Sequence, residues 1–290
     1  MTPAVAFRLG RVSNLPTVWT NTLAGVVLAG GESWTLTTLL VAIGLSLLYV
    51  SGMYLNDAFD REIDAKERPE RPIPAGLVSP DTVFFVGFCL MLAGLAFTLW
   101  GTTVSAATPW PGMLAALVLA GTILVYDWHH KGNALSPFFM GLCRVLAYIT
   151  AGHAAVQTPS SGLIVAALAS LSYLIGLTYI AKLESLDRIE GLWPLLFLLA
   201  PIIYGFAHLR HGDLATILLL VALAAWIVAA LYLLRRRAKG DVARAVVGLI
   251  AGIALVDALF LAAAGAVATS VFAVACFALT LALQRWVSGT

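Results

Sequence analysis

The chain has 290 residues, of which 61% are hydrophobic and 11% are charged, and its mean hydropathy is +0.94. A soluble domain needs roughly a quarter of its residues charged to cover its surface with polar groups, so this composition excludes a soluble globular protein and indicates a membrane protein. The net charge of +2 gives no reason to expect a nucleic-acid partner.

Hydropathy divides the chain into about ten apolar runs, each close to the length that a membrane-spanning helix needs. They predict a single all-α domain over 1–290, a polytopic transmembrane helix bundle of nine or ten spans. The count depends on the stretch between Gly265 and Ser270, which is either a turn between two spans or a bend within one. The approximate spans are 14–31, 35–57, 80–101, 110–127, 136–156, 160–182, 190–208, 214–235, 243–264 and 269–286.

The cations are divided unevenly between the two sides of these spans. With the N-terminus in the cytoplasm, all but two of the 17 Lys and Arg residues fall in inside segments; Arg210 lies outside and Arg144 lies within span five. Cytoplasmic loops of membrane proteins carry such an excess of Lys and Arg. We therefore expect a multi-pass protein of the cell inner membrane, surrounded by membrane lipid, whose N-terminus and polar inside loops face the cytoplasm.

A dense group of charges follows span two and holds six of the 15 acidic residues of the chain. Asn56, Asp60 and Asp64 recur every four residues, so a continuing helix would place them on one face, with Asp57 beside them. Carboxylates in such a row repel one another in a low dielectric and require a cationic partner. Oxygen ligands suit Mg²⁺, which proteins commonly hold with one or two carboxylates together with substrate phosphates.

Three basic residues come next, and they are placed to bind the remaining charge of a polyanion. Three prolines between 69 and 74 end the helix and leave a loop that could close over a ligand. The simpler alternative is a solvated loop whose charges only fix topology, but acidic residues contribute little to topology, so it leaves the aspartates unexplained. The basic residues are Lys66, Arg68 and Arg71.

The pattern Asn-Asp-x-x-Asp-x-x-x-Asp that begins at Asn56, followed by Arg-Pro-Ile-x-x-Gly from Arg71, resembles the UbiA family of intramembrane prenyltransferases. The resemblance implies a bundle of usually nine spans around a central cavity that opens to the cytoplasmic side. It also implies that the first motif holds Mg²⁺ on the diphosphate of an isoprenyl diphosphate donor. The ligands would be Asn56, Asp57, Asp60 and Asp64, with Asp187 from a second motif.

That second motif, which follows Tyr179 at the end of span six, departs from the family pattern Asp-x-x-x-Asp. Asp187 matches the second aspartate, but Leu183 occupies the first position and Glu184 is displaced by one residue, about 100° around a helix. Either Glu184 replaces the missing ligand, or one metal site is lost and basic residues bind phosphate directly. An ion-paired helix end is a third alternative. The basic residues are Lys182 and Arg188.

The inside end of span four partly matches a Tyr-x-x-x-Lys-Arg pattern that family members often carry. Tyr126 occupies the tyrosine position and Lys131 is placed to bind phosphate. Asp127 could accept a proton or orient a hydroxyl group. The alternative is an interfacial belt of Trp and His residues.

Two polar residues inside spans complete the candidate site. Arg144 lies at membrane depth, where a charge usually faces a polar interior; it contacts the diphosphate or pairs with Asp127 or Asp257. Asn21 in span one is a buried amide that needs a hydrogen-bond partner, and an Asn in the first helix lines the cavity in the resembling family.

The resemblance implies Mg²⁺-dependent transfer of an isoprenyl group to a hydrophobic acceptor within the membrane. Asp60, Asp64 and Asp187 act with the metal, the cations including Lys182 neutralise the departing pyrophosphate, and Tyr126 or Tyr179 stabilises the allylic cation. A transporter would keep its charges nearer the midplane, and a lipid-alcohol phosphotransferase would carry Asp-Gly-x-x-Ala-Arg, which is absent. A non-catalytic protein that binds an isoprenoid or another anionic lipid remains an alternative, because the second motif is altered.

Overall fold

The structure is a computed structural model that describes residues 1–105, 108–131, 133–182, 193–210, 213–287 and 289. These residues form α-helices and two short 3-10 helices, Val12–Asn14 and Trp193–Leu199, and contain no strand. The α-helices of this described part are α1 (Pro3–Leu9), α2 (Leu15–Ala29), α3 (Leu36–Phe59), α4 (Arg61–Glu67), α5 (Pro80–Val104), α6 (Pro109–His129), α7 (Ser136–Ala155), α8 (Ser161–Lys182), α9 (Ala200–Ala207), α10 (Leu214–Arg236), α11 (Asp241–Ala263) and α12 (Val267–Leu283).

Each predicted span coincides with helical structure. Among the described residues, seven helices are long and apolar enough to cross a membrane: α3, α5, α6, α7, α8, α10 and α11. The remaining three predicted spans correspond to shorter segments, namely α2, Trp193–Ala207 and α12. The all-helical membrane architecture is therefore confirmed, and the count of nine or ten spans stays a prediction.

Two helices begin after a residue whose side chain caps the helix. The Ser79 hydroxyl accepts a hydrogen bond from the Thr82 amide at 3.3 Å, and Pro80 occupies the first position of α5. At the start of α10, an Asp213 carboxylate oxygen accepts from the Thr216 amide at 3.0 Å. Each cap supplies an acceptor for an amide that has no partner within its own helix.

Span seven differs from the single helix expected over 190–208. Its described part is a 3-10 helix, Trp193–Leu199, followed by the short α9 that starts at Ala200. Pro201 explains the change, because proline has no amide hydrogen and its ring conflicts with the preceding turn of an α-helix. It is tolerated in the first turn of a new helix, where the structure places it.

The stretch that left the span count open is a tight turn. Gly265 has φ of 83°, in the left-handed region that glycine adopts readily, and the Ala266 amide donates to the Leu261 carbonyl oxygen at 2.9 Å. α11 and α12 are therefore separate helices rather than one bent helix.

The centre of the bundle is formed by α2 and α11, and α2 packs against α7, α11 and α3. Twelve of the 15 residues of α2 are buried, and so are 17 of the 23 residues of α11. Small residues allow close approach: a Cβ atom on Gly25 would lie 2.7 Å from the Tyr148 carbonyl oxygen, and one on Gly44 would lie 2.4 Å from the Thr98 hydroxyl oxygen. Such packing is typical of helices in membranes.

Candidate active site

A cavity of about 700 Å³ is lined by residues of α2, α3, α6, α7, α8 and α11. This volume is in the range of small-molecule sites. Much of its wall is apolar and includes Val18, Leu45, Leu119, Leu174 and Ile253. Apart from Asp127 and Arg144, its charged residues come from the segment before α2, the end of α3 and the loop after α4, and the ends of α6 and α8. We call this group the charged end of the cavity; its members are Arg11, Asp60, Arg68, Arg71, Lys131 and Lys182.

The first aspartate motif lies across the junction of α3 and α4. The Asp60 amide donates to the Asn56 carbonyl at 2.9 Å and the Asp64 amide donates to the Asp60 carbonyl at 2.8 Å, although α3 ends at Phe59. Asn56 and Asp60 line the cavity, whereas Asp57 and Asp64 are outside its lining. All four motif side chains belong to buried residues. The single shared face expected from the spacing is therefore divided between the cavity and the protein interior behind it.

Arginines bind the two motif aspartates that do not line the cavity. One Arg71 guanidinium nitrogen lies 2.7 Å from Asp64 Oδ2 and 3.2 Å from Asp57 Oδ1. Arg11 adds a second contact to Asp57 Oδ1 at 3.1 Å. Burial by itself lowers the pKa of Arg11, but the Asp57 carboxylate and other nearby groups raise the pKa above its ordinary value, so Arg11 stays charged. These cations supply the charge balance that the spacing of the carboxylates requires.

Asp60 is held by the end of α6. Its Oδ2 lies 3.3 Å from His130 Nε2 and 3.7 Å from Lys131 Nζ. Lys131 also lies 3.6 Å from Glu67 Oε2. The Tyr126 ring stacks on His130 with centroids 4.8 Å apart. The partial family match at Tyr126 and Lys131 thus falls on the cavity wall beside the motif.

Asp127 faces the same cavity and connects α6 to α3. Its Oδ1 accepts a hydrogen bond from Asn56 Nδ2 at 3.3 Å. Its Oδ2 is buried and has no hydrogen-bond partner among the described residues, and the same is true of Asp64 Oδ1. Buried carboxylate oxygens without partners are energetically unfavourable unless a cation or a donor reaches them.

The chemistry of these side chains fits Mg²⁺. Carboxylate and amide oxygens are its preferred protein ligands, and two of the carboxylate oxygens have no other partner in the part of the chain described. Within that part, no three His, Cys, Asp or Glu side chains come together in a ready metal cluster. The second-motif residues that would add ligands or cations, Glu184, Asp187 and Arg188, lie outside the described residues.

Two other predicted basic residues also line the cavity. Lys182 Nζ donates to the Asn133 carbonyl oxygen at 2.9 Å. Arg144 donates to the Thr17 carbonyl oxygen at 2.9 Å and to its hydroxyl at 3.3 Å. Arg144 forms no close ion pair with Asp127 or Asp257, the alternative partners predicted from the sequence, although its charge acts on Asp257.

The remaining predicted residues are placed differently. Asn21 lines the cavity, and its side-chain nitrogen has no hydrogen-bond partner among the described residues. Lys66 is exposed on α4 and is not among the residues that line the cavity. Tyr179 is half-buried on α8 and also lies outside the lining, although its neighbour Thr178 belongs to it.

Several cavity residues escaped the sequence analysis. Arg11 and His130 contact the aspartate motif, and Asn14 donates to Tyr49 Oη at 3.3 Å and to the Gly289 carbonyl at 2.9 Å. The Asn14 and Gly289 positions are 275 residues apart, so no local pattern could join them. The position of Arg11, three residues before the first predicted span, was the one sequence feature that could have pointed to it.

The comparisons with known proteins agree with this arrangement. The UbiA prenyltransferase family model matches residues 18–248. Digeranylgeranylglyceryl phosphate synthase of Halobacterium salinarum is 35% identical over 218 residues, which cover 70% of each chain. The enzyme of the same name from Methanopyrus kandleri is 28% identical over 204 residues, or 68% of each chain.

Solved structures share the fold. A structure from a study of digeranylgeranylglyceryl phosphate synthase in membranes superposes with a TM-score of 0.61 at 20% identity. The match covers 91% of this chain and 98% of that one. A UbiA homologue from Archaeoglobus fulgidus bound to GPP and Mg²⁺ also has a TM-score of 0.61, at 15% identity, with 91% and 99% covered. The protein is a helical membrane enzyme with a cavity lined by several basic residues. The chain belongs to the UbiA prenyltransferase family and is a prenyltransferase.

Proposed function

We propose that the chain transfers an isoprenyl group from an isoprenyl diphosphate to a hydrophobic acceptor in an Mg²⁺-dependent reaction within the membrane. The observation that carries this proposal is the division of one cavity into a charged end and a largely apolar wall. An isoprenyl diphosphate is divided in the same way, into a polyanionic head and a hydrocarbon chain. Its head would lie among the cations of the charged end, and its chain would pack along the apolar wall.

Asn56 and Asp60, which line the cavity, are the proposed cavity-side ligands of Mg²⁺, with Asp57, Asp64 and Asp187 completing the set. Bound Mg²⁺ would neutralise charge on the diphosphate and make it a better leaving group. Arg71 and Arg11, which line the cavity, contact Asp57, and these contacts keep the carboxylates of the motif close together despite their mutual repulsion.

The cations of this chain would stabilise the leaving group. As the bond between C1 of the isoprenyl group and the diphosphate oxygen breaks, negative charge grows on the pyrophosphate. Arg68, Lys131 and Lys182 line the cavity where that charge would develop, and fixed cations in a site shielded from water stabilise it strongly. Arg71, Arg144 and Arg188 are further proposed phosphate contacts, and Lys66 would reach the diphosphate only from outside the cavity wall.

The allylic cation that is left requires electron-rich neighbours. Tyr126 lies on the cavity wall next to Asp60's partner His130, so its ring is available to a cation in the cavity. Tyr179 is a second candidate whose role rests on the family resemblance. Asn21, with its unpartnered amide nitrogen on the cavity wall, is a proposed contact for the acceptor.

The names of the relatives suggest a class of acceptor. They describe a glyceryl phosphate with two geranylgeranyl groups as the product. We infer that an alcohol of a glyceryl phosphate lipid is an acceptor worth testing first. In that reaction the acceptor hydroxyl oxygen forms a bond to C1 of the isoprenyl group, pyrophosphate leaves, and the hydroxyl proton is released.

The proposed setting is a single membrane domain of nine or ten spans in the cell inner membrane. The charged end of the cavity and the N-terminus would face the cytoplasm. Support comes from the excess of Lys and Arg on that side of the spans.

The test uses membranes that contain the chain and labelled isoprenyl diphosphates of several lengths, with and without geranylgeranylglyceryl phosphate as acceptor. We expect acceptor-dependent pyrophosphate release with Mg²⁺ that EDTA abolishes. Asp60→Asn should lower the rate at least about a hundredfold, because it removes a charge that acts on the developing transition state.

Glu62→Gln is the matched control, since Glu62 lies two residues away but its side chain is 84% exposed. This variant should retain the wild-type rate. Pyrophosphate release that is indifferent to EDTA, or equal loss in Asp60→Asn and Glu62→Gln, would contradict the proposed metal site.

A further inference from the structure

The turn between α10 and α11 carries a dense group of exposed cations that does not belong to the cavity. Five Lys and Arg residues lie between positions 235 and 244, and Asp241 is the one acidic residue among them. All five basic residues are exposed. They are Arg235, Arg236, Arg237, Lys239 and Arg244.

Asp241 is fully buried and fixes the shape of this turn. Its two oxygens accept hydrogen bonds from Arg236 Nη2 and Nε at 2.8 Å each, and Oδ2 also accepts from the Ala238 amide at 3.0 Å. Arg244 lies 3.1 Å from Asp241 Oδ1. This carboxylate therefore neutralises part of the cluster and orders the backbone, and it has little capacity left for further cations.

Three cations remain without an ion-pair partner in the described part of the chain: Arg235, Arg237 and Lys239. Arg237 has φ of 52°, a left-handed conformation that residues other than glycine seldom adopt. Its amide donates to the Leu233 carbonyl at 3.1 Å, which closes the end of α10. The turn thus holds an arginine at a position whose backbone favours glycine.

The side chains on the outer face of α10 indicate the surroundings of these cations. Val221, Val228 and Tyr232 are 63%, 64% and 61% exposed and lie on one side of the helix. Arg235 follows Tyr232 by three residues and continues that side. A stripe of exposed apolar side chains that ends in a tyrosine and then in cations matches the order of acyl chains, interface and head groups in a bilayer.

We propose that this turn is a binding site for the phosphate of an anionic phospholipid, with Arg235, Arg237 and Lys239 as its ligands. Asp241 binds Arg236 and Arg244 and orders the backbone next to the three ligands. Tyr232 lies at the level where the acyl chains meet the head group. The site is separate from the proposed transfer reaction and stands whether or not that proposal holds.

The test is native mass spectrometry of the full chain in neutral detergent, titrated with phosphatidylglycerol or with phosphatidylcholine of the same acyl chains. The wild type should prefer phosphatidylglycerol. A basic residue near an anionic membrane surface contributes about a fivefold change in affinity, so Arg235→Gln, Arg237→Gln and Lys239→Gln together should weaken phosphatidylglycerol binding by about a hundredfold.

Two variants separate charge from folding. Arg235→Lys with Arg237→Lys keeps the charges and should retain most of the binding, whereas Arg210→Gln with Arg285→Gln removes two exposed cations elsewhere and should retain all of it. Equal phosphatidylglycerol binding by the triple Gln variant and the wild type would overturn the proposal. Displacement of the lipid by an equal concentration of inorganic phosphate would also overturn it, because it would identify a site for free anions.

Discussion

The aspartates of the first motif and Asp257 form two groups of buried acids whose partners differ. In the first motif, Asp57 and Asp64 share Arg71, and Asp60 contacts the basic residues that follow α6 while lining the cavity. Asp257, on the central helix α11, is 0% exposed; Arg144 acts on it electrostatically, but no basic residue of the described part lies within ion-pair distance of it. The first group combines balanced charge with access to a cavity, whereas the second is enclosed.

The enclosed aspartate is satisfied by hydroxyl groups. Thr20 donates to Asp257 Oδ2 at 2.5 Å, and the Tyr148 hydroxyl donates to Asp257 Oδ1. These contacts join α2, α7 and α11 at the centre of the bundle. The comparison shows that burial of an acid does not by itself mark a catalytic group; close ion pairs and a route to a ligand distinguish the first motif.

The largest effect should come from Arg71→Leu. It leaves the Asp64 carboxylate, 1% exposed, without its cation, and it removes a positive charge from the cavity wall. Loss of one partner of a buried ion pair destabilises a protein by about 3 kcal/mol, and we expect transfer to fall about a hundredfold. Thermal unfolding in detergent and pyrophosphate release measure the two effects.

Arg71→Lys is the matched variant, because it keeps the charge but loses the planar fork that reaches two carboxylates. It should be more stable than Arg71→Leu and remain slower than the wild type. A fully active and stable Arg71→Leu protein would show that the aspartates of the first motif do not depend on their ion pairs, and would contradict the difference proposed between them and Asp257.

Changes at Asp257 should act on stability and leave the reaction nearly unchanged. Asp257→Leu removes the carboxylate that accepts from the Thr20 and Tyr148 hydroxyls; Thr20 can still donate to the Thr17 carbonyl oxygen at 3.1 Å, and we expect the fold to be destabilised by about 2 kcal/mol. Asp257→Asn keeps one acceptor oxygen and should lose less. Transfer by Asp257→Asn should stay within about threefold of wild type, and a loss as large as that of Asp60→Asn would show that enclosure does not exclude a catalytic role.

Much of the fold could be predicted because apolar run length and capping residues are local signals. Ser79 and Asp213 are capping residues that come directly before α5 and α10, and Pro201 is the local reason why span seven starts as a 3-10 helix. The first motif was recognisable from its spacing alone. The sequence did not predict that the motif residues would be divided between the cavity and the interior. That division depends on the break at Asp60 between α3 and α4.

The partners of the motif were harder to predict for a physical reason. Arg11 contacts Asp57, which is 46 residues away in the sequence, and Asn56 contacts Asp127, which is 71 residues away. The sequence assigned no contact to His130, yet its ring stacks on Tyr126 and its Nε2 lies 3.3 Å from Asp60 Oδ2. Such contacts are set by which helix ends meet around the cavity, and periodicity within one helix contains no information about that.

The most direct measurement is an experimental structure with Mg²⁺ and an unreactive thio analogue of geranyl diphosphate. The account predicts the diphosphate at the charged end, next to Asp60 and within reach of Lys131 and Arg68, with the hydrocarbon chain along the apolar wall. A diphosphate bound outside this cavity, or one with its hydrocarbon chain among the cations, would contradict it.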